Sequence, residues 1–286
     1  MSASITIDGG GSGSRARLRT GNRSALVIGP PLSLTTVDVE TVIARILALI
    51  DRLPEHGGVE AISVGLAGAM NIERAAAVRA ALAARFPEAR TTVARDIDLV
   101  VGQLTPPGAA VIVGTGVAVI ALTPGGEVLI DGGGFAIGDR GGGAWIGLEA
   151  LRRGLRDLDR DGRERPLLAA LRRRLGLPPD RALASAISAG AGLDQRRVAG
   201  LAPTVVALAE QGDSDAVAVV AGAIDAVRES ADWALERARI ASGAEIILAG
   251  GLAGSSYFWT RLRPLLVASG RVEAVRRVDP LDATLA

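Results

Sequence analysis

Three short glycine-rich turns, each entered from an apolar run of β type, hold the residues of this chain best suited to chemistry. They are Ile5-Thr6-Ile7-Asp8-Gly9-Gly10-Gly11-Ser12-Gly13-Ser14, Val111-Ile112-Val113-Gly114-Thr115-Gly116 and Ile246-Ile247-Leu248-Ala249-Gly250-Gly251. Glycine lets backbone N–H groups turn toward a ligand and approach it closely, which suits a polyphosphate. Asp8 stands at the mouth of the first turn. There it could serve a cation or simply cap the turn. Three such turns, one with a carboxylate, point to a nucleotide held between two halves of the chain.

The side chains available for acid–base work are few. There is no cysteine, one histidine (His56, in Pro54-Glu55-His56-Gly57-Gly58) and no lysine. Thiolate nucleophiles, iron–sulfur clusters, Cys/His zinc sites, lysine Schiff bases and the Gly-Lys-Ser/Thr phosphate loop are therefore excluded. A Ser-His-Asp hydrolase would depend on His56 in a surface loop. Carboxylates remain. Asp96 follows the strand-like Thr91-Thr92-Val93-Ala94, at the end of a strand where open α/β sheets collect their ligands. Asp98, two residues on, is its alternative and also suits a helix N-terminus. Asp139 could hydrogen-bond ligand hydroxyls or pair with a neighbouring arginine such as Arg140.

The elements that would position these residues follow from periodicity. Ile5–Ile7, Ala16–Leu18 and Ala25–Ile28 read as strands, Thr36–Leu53 as a helix capped by Asp38, Ala61–Leu66 as a buried strand, Glu73–Arg85 as a helix and Thr91–Ala94 as a strand. A short helix over Ile97–Leu104 ends at Pro106-Pro107. The order predicts an α/β layer with a mostly parallel sheet. A second pass repeats the opening, with strands Val111–Val113, Val117–Leu122 and Val128–Ile130. Helices follow at Gly143–Leu158, Leu167–Leu175, Leu183–Ser188, Val198–Gln211 and Ala216–Ala238, then strand Glu245–Leu248 and a helix through Leu266. Two domains are expected, 1–107 and 108–286, with a ligand cleft between them that closes to expel water. The tail after Pro280-Leu281-Asp282 is too short to show whether a last helix crosses back onto the first domain.

With 286 residues, 49% of them hydrophobic and 2% aromatic, the chain can bury a large core built from aliphatic side chains. A net charge of +1 argues against nucleic acid as the main partner. The uncharged stretch from Gly108 to Gly126 is broken by Gly114-Thr115-Gly116 and Pro124, so it reads as two strands rather than a membrane span. A cytoplasmic protein without a membrane partner is expected. The charge-dense region Arg152–Arg174 reads as a solvated helix pair, with an anionic docking patch as the alternative.

Taken together the motifs resemble the actin/Hsp70/sugar-kinase superfamily, and within it the BadF/BadG/BcrA/BcrD-type ATPases. That family contains N-acetylglucosamine and glucosamine kinases and the activators of 2-hydroxyacyl-CoA dehydratases. The resemblance rests on Asp8-Gly9-Gly10-Gly11-Ser12-Gly13-Ser14, Gly114-Thr115-Gly116 and Leu248-Ala249-Gly250-Gly251-Leu252, with Gly132 to Gly147 echoing the kinase stretch GGWG…GDEGS…WIG. It implies a two-domain actin-like, ribonuclease H-like fold with an interdomain cleft. The activators need cysteines for their cluster and this chain has none, so an ATP-dependent kinase of a hexose or amino sugar is implied.

The resemblance assigns roles residue by residue. Gly9, Gly10, Gly11, Ser12, Gly13 and Ser14 would hold the β- and γ-phosphates of ATP, with Gly114, Thr115 and Gly116 gripping them from the other domain and Gly250 and Gly251 receiving the adenosine. Asp8 would serve Mg2+ through water. Asp96 would take the proton of the acceptor hydroxyl, and Asp139, Ser33 and Gly68 would join it in binding the sugar. A homodimer is left open. The chain departs from the pattern where the sugar is read. The tryptophan of GGWG is Gly133, the glutamate of GDEGS is Arg140, and the Ser-Thr-Asn segment is Pro31-Leu32-Ser33, without its asparagine. Arg140 would favour an anionic acceptor if it faces the ligand. A non-catalytic ATP or sugar sensor and a partner-regulating ATPase remain the alternatives.

Overall fold

The structure is a computed structural model and describes residues 3–11, 13–54, 58–179, 182–188 and 193–285. Ser12 and His56 lie outside the described residues. The chain divides into two compact units, one of residues 1–103 with 278–286 and one of residues 104–277.

The first unit opens with β1 (Ala3–Gly9), β2 (Ser14–Thr20) and β3 (Arg23–Gly29), followed by α1 (Val39–Asp51), β4 (Val59–Leu66), α2 (Ile72–Arg85), β5 (Arg90–Arg95) and the short α3 (Asp98–Val101). Its sheet runs β3-β2-β1-β4-β5. Local chemistry accounts for these elements. In β2, Ala16 and Leu18 are buried while Arg15, Arg17 and Arg19 alternate on the other face. Asp38 caps α1 by accepting from Thr41 N, and α1 turns Val42, Ile46, Leu49 and Ile50 inward.

The second unit repeats that plan. Strands β6 (Gly108–Val113), β7 (Val117–Thr123) and β8 (Gly126–Asp131) form the meander, and β9 (Ala244–Ala249) and β10 (Val272–Arg277) add in parallel, giving the order β10-β9-β6-β7-β8. With β6 to β10 renumbered from one, this is the strand order of the first unit. Between β8 and β9 lie α4 (Gly143–Asp161), α5 (Pro166–Leu175), α6 (Ala182–Ser188), α7 (Gln195–Ala199), α8 (Ala202–Glu210) and α9 (Ser214–Arg237), and after β9 come α10 (Gly251–Gly254) and α11 (Ser256–Val267). Each unit has its own core. Ile5, Ile7, Val64 and Leu66 anchor the first, and Val111, Val119, Ile246 and Phe258 the second.

The observed sheets are mixed rather than mostly parallel. The β1–β2–β3 and β6–β7–β8 connections are tight hairpins, which force antiparallel pairing, while only the pairings of β1–β4–β5 and β6–β9–β10 are parallel. The single helix expected over Val198–Gln211 is two, because Pro203 in the first turn of α8 cannot continue α7. The helix after β9 likewise breaks at Ser255, whose hydroxyl caps α11 at Phe258 N. Strand β10 escaped the sequence reading because it is a charged edge strand of pattern VEAVRR, with only Val272 buried.

Among the described residues no α-helix follows β10 in the tail. The tail forms a 3-10 turn over Pro280–Asp282 and binds the first unit as a short strap. Thr6 Oγ1 donates to the Ala283 carbonyl at 3.0 Å, Leu285 N donates to Ser63 Oγ at 3.0 Å, and Gln103 Nε2 donates to the Asp279 carbonyl at 2.9 Å. Leu281 is fully buried. Leu281→Ala should therefore destabilise the protein by about 2–5 kcal/mol, the range for truncating a buried leucine. Urea unfolding monitors this, and an unchanged midpoint would mean that the tail is not part of the core.

Candidate functional site

In the first unit, β1, β4 and β5 end at the same edge of the sheet, and hydrogen bonds lace those ends together. Ala67 N donates to the Gly9 carbonyl at 2.8 Å, Leu34 N to that of Ala67 at 2.8 Å, Leu32 N to that of Gly10 at 3.2 Å, and Asp96 N to that of Leu66 at 3.3 Å. Asp8, the first glycine turn, Gly68 and Asp96 thus gather at one sheet edge. Ser33 joins them through the 30–37 loop.

The glycines of the first turn divide by what the fold asks of them. A Cβ on Gly9 would lie 2.6 Å from Leu66 Cδ2 and 2.8 Å from Leu32 Cβ, so the close packing of the strand ends demands glycine there. Gly11 has no neighbour within 4 Å of such an atom and no left-handed backbone angle. Neither packing nor conformation requires glycine at Gly11, whereas close approach of a ligand to the backbone would. Gly10 and Gly13 are similarly open, with a neighbouring atom no nearer than 3.5 Å. Ser14, by contrast, is buried and donates its hydroxyl to the Pro30 carbonyl at 2.6 Å, which ties the turn to the end of β3. Ser33 is also buried, and its hydroxyl accepts from Thr35 N at 3.3 Å. Gly68 adopts a φ of +83°, and a Cβ there would lie 2.5 Å from Thr35 Oγ1.

The two candidate bases have different environments. Asp98 is held by Arg95, accepting from its backbone N at 2.9 Å and its Nε at 3.0 Å. Asp96 accepts from Ile97 N at 3.0 Å, and no cation among the described residues pairs with it. Burial pushes the Asp96 carboxyl above the ordinary aspartate range, and the Asp8 and Asp98 charges add to that, against the opposing pull of the Ile97 N–H. A half-buried carboxylate with a raised proton affinity and no fixed cation can receive a proton from a ligand hydroxyl.

Asp8 is paired. Directly across the hairpin from it, Arg15 Nη2 donates to Asp8 Oδ2 at 2.8 Å and reaches Asp279 Oδ1 of the tail at 3.2 Å. Arg15 escaped the sequence reading. The alternation of Arg15, Arg17 and Arg19 along β2 was its only local signal.

In the second unit the Gly114-Thr115-Gly116 turn sits at the end of β6, beside Gly250 and Gly251 at the end of β9. A Cβ on Gly250, whose φ is +102°, would meet the Val113 carbonyl at 2.4 Å. The start of α4 fastens the turn, since Gly143 N donates to the Gly114 carbonyl at 2.8 Å and Ala144 N to that of Thr115 at 2.9 Å. Asp139 lies against the turn. It is 7% exposed, has a φ of +57°, and its carboxylate takes backbone hydrogen bonds from Val117 and Gly134. A Cβ on Gly116 would lie 2.3 Å from Asp139 Oδ2. Burial raises the proton affinity of Asp139 and those hydrogen bonds oppose the rise.

Other charged groups are spent within their unit. Arg140 donates to Glu229 at 2.9 Å and lies over the Trp233 ring at 5.5 Å, so its guanidinium packs on α9. Arg153, Arg160, Arg165 and Arg172 pair with Asp215, Asp157, Asp161 and Glu164; Asp157 and Asp215 are buried, and Asp215 lies on α9, so part of this charge is packed against the unit rather than spread over a solvated helix pair. A groove of about 1070 Å³, lined by Pro107, Leu122, Glu127 and Ile240 among others, opens at the opposite end of β6 and β7 from the glycine turn. No helix among the described residues is long and apolar enough to cross a membrane.

Two outcomes follow from this geometry. Gly9→Ala should cost about 1–3 kcal/mol by overpacking, whereas Gly11→Ala should leave stability unchanged or raise it by about 0.4–1 kcal/mol through the unfolded chain. Urea unfolding beside titration with a fluorescent ATP analogue separates them, with weakened binding expected from Gly11→Ala. In metal-free buffer at neutral pH, Asp96→Asn should raise Tm. A carboxyl whose folded pKa is raised contributes stability below its unfolded value and loses it as pH rises through the folded one. The difference from the parent should therefore shrink as pH falls through the Asp96 titration. A lower Tm for Asp96→Asn at neutral pH would contradict this.

Comparison with known proteins fits these observations. The model of the BadF/BadG/BcrA/BcrD ATPase family matches residues 5–279. Among solved structures, a candidate N-acetylglucosamine kinase from Chromobacterium violaceum is 25% identical with a TM-score of 0.72, over 95% of this chain and 94% of that one. A second candidate N-acetylglucosamine kinase, from Porphyromonas gingivalis, is 18% identical with a TM-score of 0.73, over 97% and 95%. No curated protein matches the chain. Two mixed five-stranded sheets of one connectivity, with glycine turns at their strand ends and a family match over nearly the whole length, place this chain in the BadF/BadG/BcrA/BcrD ATPase family, with the actin-like fold.

Proposed function

We propose that the chain is an ATP-dependent kinase that phosphorylates a hydroxyl of an amino sugar or a related hexose. The observation that carries this reading is Asp96, a half-buried carboxylate with raised proton affinity and no cation paired with it among the described residues, beside Asp8 and the glycine turn. The likeness to the Chromobacterium violaceum protein supports it.

Phosphoryl transfer asks for positioning and charge neutralisation more than for covalent chemistry. The open amides of Gly10, Gly11 and Gly13 would bind phosphate oxygens; within the second unit, Thr115 and Gly116 would suit phosphate oxygens and Gly250-Gly251 an adenosine. Asp96 would accept a hydrogen bond from the acceptor hydroxyl. As that oxygen bonds to the γ-phosphorus, the bond to the β–γ bridging oxygen breaks, ADP leaves with the electron pair, and the hydroxyl proton passes to Asp96. Hard carboxylate oxygen at Asp8 suits magnesium, which takes one or two carboxylates plus phosphates and keeps several waters. No group of three acidic or histidine side chains able to hold a metal gathers among the described residues. Magnesium at Asp8 would neutralise phosphate charge.

Recognition of the acetamido group has less support. The Ser33 hydroxyl accepts from Thr35 N, and Asp139 is buried against the backbone of the second unit. The acceptor is therefore best found by a panel.

ADP release with ATP and magnesium, alone and with glucosamine, N-acetylglucosamine, glucose or mannose, tests the proposal. Sugar-dependent turnover reduced at least about 100-fold by Asp96→Ala is expected, in line with loss of a general base. Sugar-independent turnover would instead make the protein an ATPase, and ATP binding without turnover would make it a sensor.

A further inference from the structure

We infer that Arg15 is an exchangeable counter-ion for Asp8, and that Asp279 in the tail holds Arg15 when a divalent cation takes its place. The inference rests on Asp8 being the cation-serving carboxylate of the proposed function.

The argument begins with the hairpin register. Asp8 and Arg15 are directly paired across β1 and β2, so the guanidinium reaches Asp8 Oδ2 without backbone adjustment. A guanidinium on that oxygen competes with any metal or metal-bound water seeking it, because both need the same lone pairs and the same negative charge. Arg15 has a second acceptor within reach, Asp279 Oδ1 at 3.2 Å. Asp279 is itself fixed. Its Oδ1 accepts from Leu281 N at 3.1 Å, its Oδ2 from Arg17 Nη2 at 2.8 Å, and its carbonyl from Gln103 Nε2 at 2.9 Å. Arg17 and Arg19 also pair with Asp282, which keeps the strap on β2. The guanidinium therefore stands between two carboxylates, one at the glycine turn and one in the tail, and a small swing moves it from the first to the second. Side chains of Arg15, Asp8 and Asp279 are 38%, 22% and 30% exposed, so the swing needs no unpacking. With the arginine parked on Asp279, the charge at the turn becomes available to a cation while no unpaired arginine results.

Opposite effects of the two partners follow. Arg15→Gln frees Asp8 and should tighten divalent binding. Asp279→Asn leaves Arg15 with Asp8 as its only carboxylate and should weaken it. For a partly exposed pair the expected change is about threefold in each direction. The measurement is Mn2+ binding to the full-length protein with saturating ADP, followed by electron paramagnetic resonance of free Mn2+. Tighter binding for Arg15→Gln, weaker for Asp279→Asn, and the Arg15→Gln value for the double variant support the inference. Arg17→Gln separates docking of the tail from the exchange. It should lower Tm yet leave Mn2+ affinity in place, and an equal loss of affinity there would overturn the proposal. Equal or unidirectional shifts for Arg15→Gln and Asp279→Asn also overturn it, while loss of binding in Asp8→Asn would keep the metal assignment standing. Undiminished Mn2+ binding in Asp8→Asn would remove the assignment itself, and the inference with it.

Discussion

Two strand ends in this protein are packed so closely that no side chain fits between them and their neighbours, and the candidate site is built on that closeness. Gly9 lies against Leu66 and Leu32, and Gly116 against the Asp139 carboxylate. Without a Cβ in the way, β1 and β4 end side by side. The Ala67–Gly9 and Leu34–Ala67 hydrogen bonds then form, and the residues beyond the strands are placed within a narrow tolerance. The same packing in the second unit holds Gly114 and Thr115 on the first amides of α4.

Around this framework the polar residues divide into those the fold consumes and those it leaves. Ser14, Ser33, Asp98, Asp139 and Arg140 have partners inside their own unit, and each explains a turn, a loop or a helix contact. Gly11 and Asp96 are not explained in that way. Gly11 has space that packing does not use, and Asp96 bears a charge that burial and like-charged neighbours disfavour. Groups held at such a cost to the free protein are those expected to meet a ligand.

Charge in the first unit is arranged as a ladder across one face of the hairpin, with Asp8, Asp279 and Asp282 set against Arg15, Arg17 and Arg19. The ladder binds the chain's last residues to the strand that leaves the glycine turn. Coupling between the tail and the turn is thus electrostatic and local, through Arg15, and needs no distant pathway.

Much of this was legible in the sequence, because it depends on neighbours along the chain. Alternation in β1 and β2, the continuous apolar run of β6, helical spacing and the Asp38 cap in α1, and the glycine runs themselves mark the repeated strand–turn–strand plan. The family likeness is carried by the same local motifs. Tertiary structure decided which of those residues the fold itself engages. Asp96 and Asp98 are indistinguishable by position until Arg95 is seen to hold one of them, and the backbone contacts of Ser33 and Asp139 cannot be read from the residues beside them. Strand β10 stayed hidden since an edge strand can be mostly charged. Arg15 and the tail strap bring together residues more than 250 positions apart. Such contacts are set by the register of a hairpin and the docking of a chain end, and no pattern of neighbouring residues encodes them.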